Sequence, residues 1–314
     1  MRFSIWPSTH RPWSEILALA ENSAATGWDG VYFADHLMPH GAFGPDSDPS
    51  APLDGDTLEC WSVLAALAAS VPRVRLGSLV SSVTFRHPAV LAAIAAAVDN
   101  ISGGRLVLGI GAGWQVNEHT ANGIPLGTVA ERLDRFEEAV QVLSSLLREP
   151  RTTFTGRVYE LHDAPNQPRP VQERLPLLVG GGGERRTLRL AARYADQWNY
   201  WSTPDVLAAK VRVLHAHCEA LGRDPREVRV STQAHLVMSK DAAQVASRAA
   251  RVNGPAMAGS PDEITDIVGR YRDAGADEII IPDPAHEPWR AYADLCDEFR
   301  ERVAEHFTRS APPV

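Results

Sequence analysis

The feature that most restricts this chain is an echo. A helical segment followed by Gly, Asp, a short apolar strand and a second Asp occurs as ATGWDGVYFAD and again as DAGADEIIIPD, with RYADQWNYW as a partial third copy. Such repetition suits a chain of βα units, in which a buried parallel strand alternates with an amphipathic helix. Apolar runs too short for helices fall at 2 to 6, 30 to 34, 74 to 80, 105 to 111, 175 to 180, 196 to 200, 228 to 237 and 277 to 283. Helical patterns such as WSEILALAENSAATG, PAVLAAIAAAVDNIS and PDEITDIVGRYRDAG lie between them, several opening on Asp, Ser or Pro and closing on Gly.

Eight strands in 314 residues fit one (β/α)8 barrel, a TIM barrel of about 250 residues plus insertions. No Gly/Ser linker or charge run divides the chain, so one domain spanning 1 to 314 is expected, with a doubly wound open sheet as the runner-up. Two stretches exceed the barrel's minimum. WQVNEHTANGIPLG, 114 to 127, reads as a loop after the fourth strand, and 152 to 170 reads as a β-hairpin with a Pro-rich return before the fifth.

Composition limits the partners. Asp and Glu outnumber Lys and Arg, 39 to 31, for a formal charge of −8, so nucleic acid and anionic membrane are repelled by the mean field. No apolar run reaches signal-peptide or bilayer-spanning length. A cytoplasmic enzyme acting on a small molecule is expected. Cys60, Cys218 and Cys296 have neither disulfide nor zinc spacing and read as buried small hydrophobes, and no metal site is expected.

In a barrel the active site lies at the C-terminal strand ends, and several informative motifs of this chain fall there. Asp35 and His36 follow the second strand; the acid can fix an imidazole tautomer and the imidazole can exchange protons near neutral pH. Taken alone, the pair reads as a turn cap and a solvated ring. Ser81, Ser82 and Thr84 cluster after the third strand, where they serve as local caps or as partners of a heteroaromatic ring. GIGAGW, followed by Asn117, Glu118 and His119, ends the fourth strand; its glycines would let a flat ligand approach the backbone. After the fifth, Gly180, Gly181, Gly182 and Gly183 run into a helix N-terminus with Arg185 and Arg186 in its first turn, the pattern of a phosphate site. Trp61, Trp114, Trp198, Tyr200 and Trp201 suggest an aromatic-lined substrate cavity, although each equally suits packing between helix and barrel.

Together, the ADH after strand two, SSVTFRHPAVLA, SGGRLVLGIGAGW, ERLDRFEEAVQVL and LPLLVGGGGERRTLRLAARYADQWN resemble the luciferase-like monooxygenase superfamily, and more narrowly its branch of oxidoreductases dependent on coenzyme F420. The resemblance covers nearly the whole chain. It implies F420, or FMN as the alternative, at the strand ends, with a non-proline cis peptide near Leu79-Val80 beneath the ring. It also implies ring contacts from Ser81, Ser82 and Thr84, a wall of Ala112, Gly113 and Asn117, and phosphate at Gly180 to Gly183 and Arg185. Asp35 and His36 would lie near the ring. The glutamate that several deazaflavin members use as an acid after strand four is replaced by Trp114, which leaves His36, Glu118 and His119 as proton-donor candidates. Arg157, Arg185 and Arg186 would meet the acidic tail of F420. A homodimer and a reductase supplying reduced cofactor are the partners implied. The competing readings are an FMN monooxygenase, a metal-dependent barrel hydrolase using His10, His36, His119 and Asp283, and a flavin-binding protein without turnover.

Overall fold

A computed structural model describes residues 1 to 39, 55 to 284 and 287 to 308. Eight parallel strands form the barrel: β1 (Arg2–Trp6), β2 (Gly30–Phe33), β3 (Arg75–Ser78), β4 (Leu106–Gly111), β5 (Leu177–Gly180), β6 (Gln197–Asn199), β7 (Arg229–Gln233) and β8 (Glu278–Pro282). Each pairs with its neighbours in order, β8 closes on β1 through Arg2 and Glu278, and β3 meets β4 at Leu76 and Leu106. The sheet is therefore closed, which sets aside the open doubly wound alternative.

The eight barrel helices are α1 (Trp13–Thr26), α2 (Cys60–Ser70), α3 (Pro88–Ser102), α4 (Val129–Arg148), α5 (Thr187–Tyr194), α6 (Pro204–Ala220), α7 (Pro261–Asp273) and α8 (Trp289–Arg302). Their ends carry the signals visible in the sequence. Thr128 and Ser260 each form a capping box, with Glu131 and Glu263, and α1 stops at Gly27, whose φ of 82° is left-handed.

The echo has a structural meaning. Asp29, Asp196 and Asp277 each stand just before a strand, and each exchanges two hydrogen bonds with the neighbouring strand. Their carboxylates accept the N–H groups of Phe3, Leu177 and Val230 at 2.8, 2.9 and 2.8 Å. Their own N–H groups donate to the carbonyls of the same three residues. Each repeat thus pins the start of one strand to the next.

Three segments depart from the sequence reading. The stretch 114 to 127 is not all loop: Val116–Ala121 is a short helix. The seventh strand does not run to residue 237. It ends at Gln233, and His235–Met238 pairs instead with Ala256–Gly259 in a separate two-stranded sheet. Between those two lies a helix, Ala242–Ala249, that the sequence pattern did not distinguish. The hairpin before β5 is present, Thr152–Thr155 against Glu160–Ala164. All three cysteines are free and buried.

Candidate active site

A cavity of about 330 Å3 opens at the C-terminal ends of the strands. Its floor comes from a bulge in β3. Between Gly77, opposite Val107, and Ser81, opposite Ile110, the third strand spends one residue more than the fourth. Leu79 and Val80 occupy the bulge, joined by a cis peptide bond, and both line the cavity. The Ser78 hydroxyl repairs the interrupted ladder, donating to the Gly109 carbonyl at 2.8 Å and accepting the Gly109 N–H at 3.0 Å.

The glycines around the bulge are also required by the bulge itself. A Cβ at Gly109 would overlap the Ser78 carbonyl. One at Gly111 would stand 2.7 Å from the Val80 side chain, and one at Gly180 would stand 2.9 Å from it. Glycine there makes room for the bulge. Gly113, at φ 84°, does the same for the Ser82 hydroxyl.

Beyond β2 the adjacent Asp35 and His36 separate. Asp35, 1% exposed, receives Arg86 on both oxygens, at 2.5 and 3.3 Å, and Arg86 also reaches Glu59. Ser81 donates to the same carboxylate and accepts the Trp61 indole N–H at 3.0 Å. Burial pushes the Asp35 carboxyl up while Arg86 pulls it back. Burial also works against the Arg86 guanidinium, but its carboxylate neighbours outweigh that and raise its pKa.

Asp35 does not orient His36; Glu118 does. Its Oε1 lies 2.9 Å from His36 Nδ1, and Oε2 accepts the Leu37 N–H at 2.7 Å. Glu118 sits on the short helix after β4 and is 1% exposed. The Trp114 ring meets the imidazole edge-on, 5.6 Å between centroids.

His119 points elsewhere. Its Nδ1 is 2.6 Å from the Gln115 carbonyl and its Nε2 is 2.6 Å from Thr84 Oγ1, with Phe85 stacked on the ring. A carbonyl only accepts, so Nδ1 carries the proton and Nε2 accepts from Thr84. Thr84 in turn takes the Ser82 hydroxyl at 2.5 Å. Burial lowers the His119 pKa, which suits this neutral tautomer. His119 and Thr84 stand behind the wall, and of these three hydrogen-bonded residues Ser82 lines the cavity.

At the fifth strand end, Gly180 and Gly181 line the cavity. The Gly181 N–H is already spent on the Asn199 carbonyl at 3.1 Å. A Cβ at Gly182 would meet the Tyr200 ring and one at Gly183 the Thr187 side chain, and neither glycine is part of the cavity wall. Thr187, the first residue of α5, does. Arg185 is exposed and outside the lining, whereas Arg157 and Arg186 both bind Asp134, at 3.0 and 2.7 Å. Two of the three arginines expected at an acidic tail are thus already paired.

Of the remaining expected residues, Ala112, Gly113 and Trp114 line the cavity. Asn117 stands outside the lining, its side-chain oxygen accepting the Glu118 N–H. Ser81 and Trp61 are in the Asp35 network. Trp198 is fully buried against Tyr200, with its indole N–H on the Gly181 carbonyl. These two tryptophans pack the barrel and do not line the cavity. The metal reading finds no support in the geometry. Asp283 holds Arg11 at 2.5 and 2.8 Å, His10 meets the Asp56 carbonyl, and among the described residues no three potential ligands are grouped.

Sequence reasoning missed Trp6, Thr187, Asn199 and Gln233 as lining residues. The signal was present for Trp6 and Asn199, which end strands, whereas Thr187 opens a helix and Gln233 was hidden because β7 was read four residues too long.

Comparison with known proteins matches this arrangement. The profile of the luciferase-like monooxygenase family covers residues 1 to 256. An F420-dependent glucose-6-phosphate dehydrogenase of Microbacterium testaceum is 27% identical over 94% of each chain. The coenzyme F420 dependent tetrahydromethanopterin reductase of Methanopyrus kandleri superposes with a TM-score of 0.79 at 18% identity, covering 98% of this chain and 99% of that one. A monooxygenase of Streptomyces bottropensis does so with 0.80 at 23%, covering 98% and 100%. With a closed barrel, a cis bulge at the third strand end and a matching profile over most of its length, the chain belongs to the luciferase-like monooxygenase family.

Proposed function

We propose that the chain is an F420-dependent oxidoreductase that exchanges hydride between the deazaflavin and a small organic substrate. The observation that carries the reading is the Glu118-held imidazole of His36 on the wall of a cavity floored by the Leu79-Val80 bulge. The extended likeness to an F420-dependent dehydrogenase supports the choice of cofactor.

The residues present fit such a group. Gly111, Ala112 and Gly113 on one side, and Gly180 and Gly181 on the other, leave a slot with little side-chain bulk above Leu79 and Val80. Ring contact would come from Leu79, Val80 and Ala112, a polar edge from Ser82, and phosphate contact from the Thr187 hydroxyl beside Gly180 and Gly181. When bound, the deazaflavin supplies two-electron hydride chemistry without useful oxygen activation. The protein's part is orientation and the proton. Glu118 accepts from His36 Nδ1, which fixes the tautomer and directs proton exchange with the substrate through Nε2. Trp114 holds the ring's plane. Asp35 is a positioning residue, bracing the β2 end through Arg86. A homodimer, a cytoplasmic location and a separate reductase belong to the same proposal, supported by the family resemblance alone.

The test is an absorbance titration of the purified protein with F420 and with FMN. Saturable binding of F420 at micromolar concentration or below, with weaker FMN binding, is the expected result. Tight FMN binding without F420 binding would replace this reading by that of a flavin monooxygenase.

A further inference from the structure

A second cavity, of about 370 Å3, lies beside the candidate active site, between the small sheet beyond β7, the end of β8 and the helix α8. The two do not share their lining. Trp201 belongs to the wall of the first and His235 to the wall of the second, and their rings meet 5.2 Å apart between centroids. Among the described residues the second wall is mainly hydrocarbon, with Leu236, Val237, Pro282 and Leu295 contributing to it. Its two polar rings are already engaged. Tyr292 donates its hydroxyl proton to the Ile281 carbonyl at 2.8 Å, and the His235 ring is hydrogen-bonded to the Asn253 backbone.

The helix Ala242–Ala249 stands over this space. Val245, Arg248 and Ala249 share one of its faces, continued by Val252 just beyond its end, yet no residue of the helix is buried. Such a face normally packs against a core. Here Arg248 and Val252 line the cavity instead. The charges around it are uneven. Arg248 reaches Glu287 at 3.6 Å, whereas Arg251, an exposed residue of the same wall, makes no ion pair among the described residues. Burial lowers the His235 pKa to about 4, so its ring carries no charge at neutral pH. An alkylammonium ion would be repelled here and a plain hydrocarbon would leave Arg251 unused, whereas a carboxylate with an apolar body satisfies both parts of the wall.

We propose that this cavity is a second ligand site, one that takes an apolar monocarboxylate with its carboxylate on Arg251 and its hydrocarbon against Leu236, Val252 and Leu295. The site does not depend on the cofactor reading above. The test is calorimetric titration of the purified chain with octanoate, octan-1-ol and octylamine, in the absence and presence of F420. Octanoate is expected to saturate one site at submillimolar concentration and to bind more tightly than octylamine. Arg251→Gln should weaken octanoate about tenfold, the lower end for a hydrogen bond to a charged group, and leave octanol unchanged. Added salt should weaken octanoate in the same selective way. Leu295→Trp, which fills the cavity, should abolish binding of both while F420 binding is retained. Val252→Trp, at the half-buried rim, serves the same purpose should Leu295→Trp fail to fold.

Absence of saturable octanoate binding, equal affinity for octylamine or an unchanged octanoate affinity in Arg251→Gln would overturn the proposal. Competitive displacement of octanoate by F420 would overturn it too, by placing the acid in the first cavity. Failure of F420 to bind at all would sink the cofactor reading instead, and the cavity-filling variants then decide this one: octanoate binding that survives them at full affinity refutes it.

Discussion

Glu118 serves two donors with one buried carboxylate, His36 Nδ1 and the Leu37 N–H. Glu118→Ala removes the carboxylate to which both donate, and losing a buried hydrogen-bond acceptor costs about 1 to 3 kcal/mol. We expect a loss of stability of that order in urea unfolding, together with slower single-turnover hydride transfer. Glu118→Gln, which retains one acceptor oxygen, should lose most of the rate and less of the stability. Equal rates in the unaltered protein and both variants would remove Glu118 from the positioning of His36. The sequence placed Asp35, His36 and Glu118 at the rim because each follows a strand. It could not show that adjacent Asp35 and His36 have different partners, since Arg86 and Glu118 lie 51 and 82 residues away from them. Nor could it show that neighbours Glu118 and His119 diverge, because that depends on a short helix, Val116–Ala121, in which consecutive side chains point about 100° apart.

The third strand and its glycines act as one device at the scale of elements. Gly111→Ala should destabilise by about 1 to 3 kcal/mol, the usual range for overpacking, because its Cβ would press on Val80. Val80→Ala should restore much of that loss. The two substitutions are therefore expected to be non-additive by more than the few tenths of a kcal/mol seen for independent sites. Additive losses in a double-mutant cycle would refute the packing account. Gly109→Ala should find no such rescue, since it meets backbone.

The small sheet beyond β7 gives a pH signature. His235 lies tilted against Trp201, 5.2 Å between centroids, and burial depresses its pKa from 6.5 to about 4. The unfolded chain binds this proton more readily, so the contribution is full above about pH 6.5 and is lost as pH falls toward 4. Allowing for its partial exposure, the loss is on the order of 2 kcal/mol by pH 4.5. His235→Gln should flatten the acid side of the urea-midpoint profile by that amount. An unchanged profile would show that His235 titrates normally. This sheet escaped the sequence reading because VRVSTQAHLV continues the apolar run without a break, while the chain turns at Ala234.

Across the whole molecule the rim is braced between neighbouring barrel units. Asp35, after β2, clamps Arg86 from the loop after β3, and Asp283, after β8, clamps Arg11 from the loop after β1. The cavity is thus assembled from loops that the closed barrel holds together, and a ligand seated in it is linked to the folding equilibrium of the barrel. At one hundred times its dissociation constant, a ligand that binds only the folded state adds about 2.7 kcal/mol. For a chain of this length, the unfolding entropy of about 2.1 cal/mol/K per residue converts this to a rise in Tm of about 4 °C. F420 should produce that shift and FMN at the same concentration a smaller one. The acidic net charge opposes any anionic cofactor at long range, so a shift that survives high salt would locate the binding energy in the cavity itself. A shift abolished by salt would place it in the exposed arginines instead.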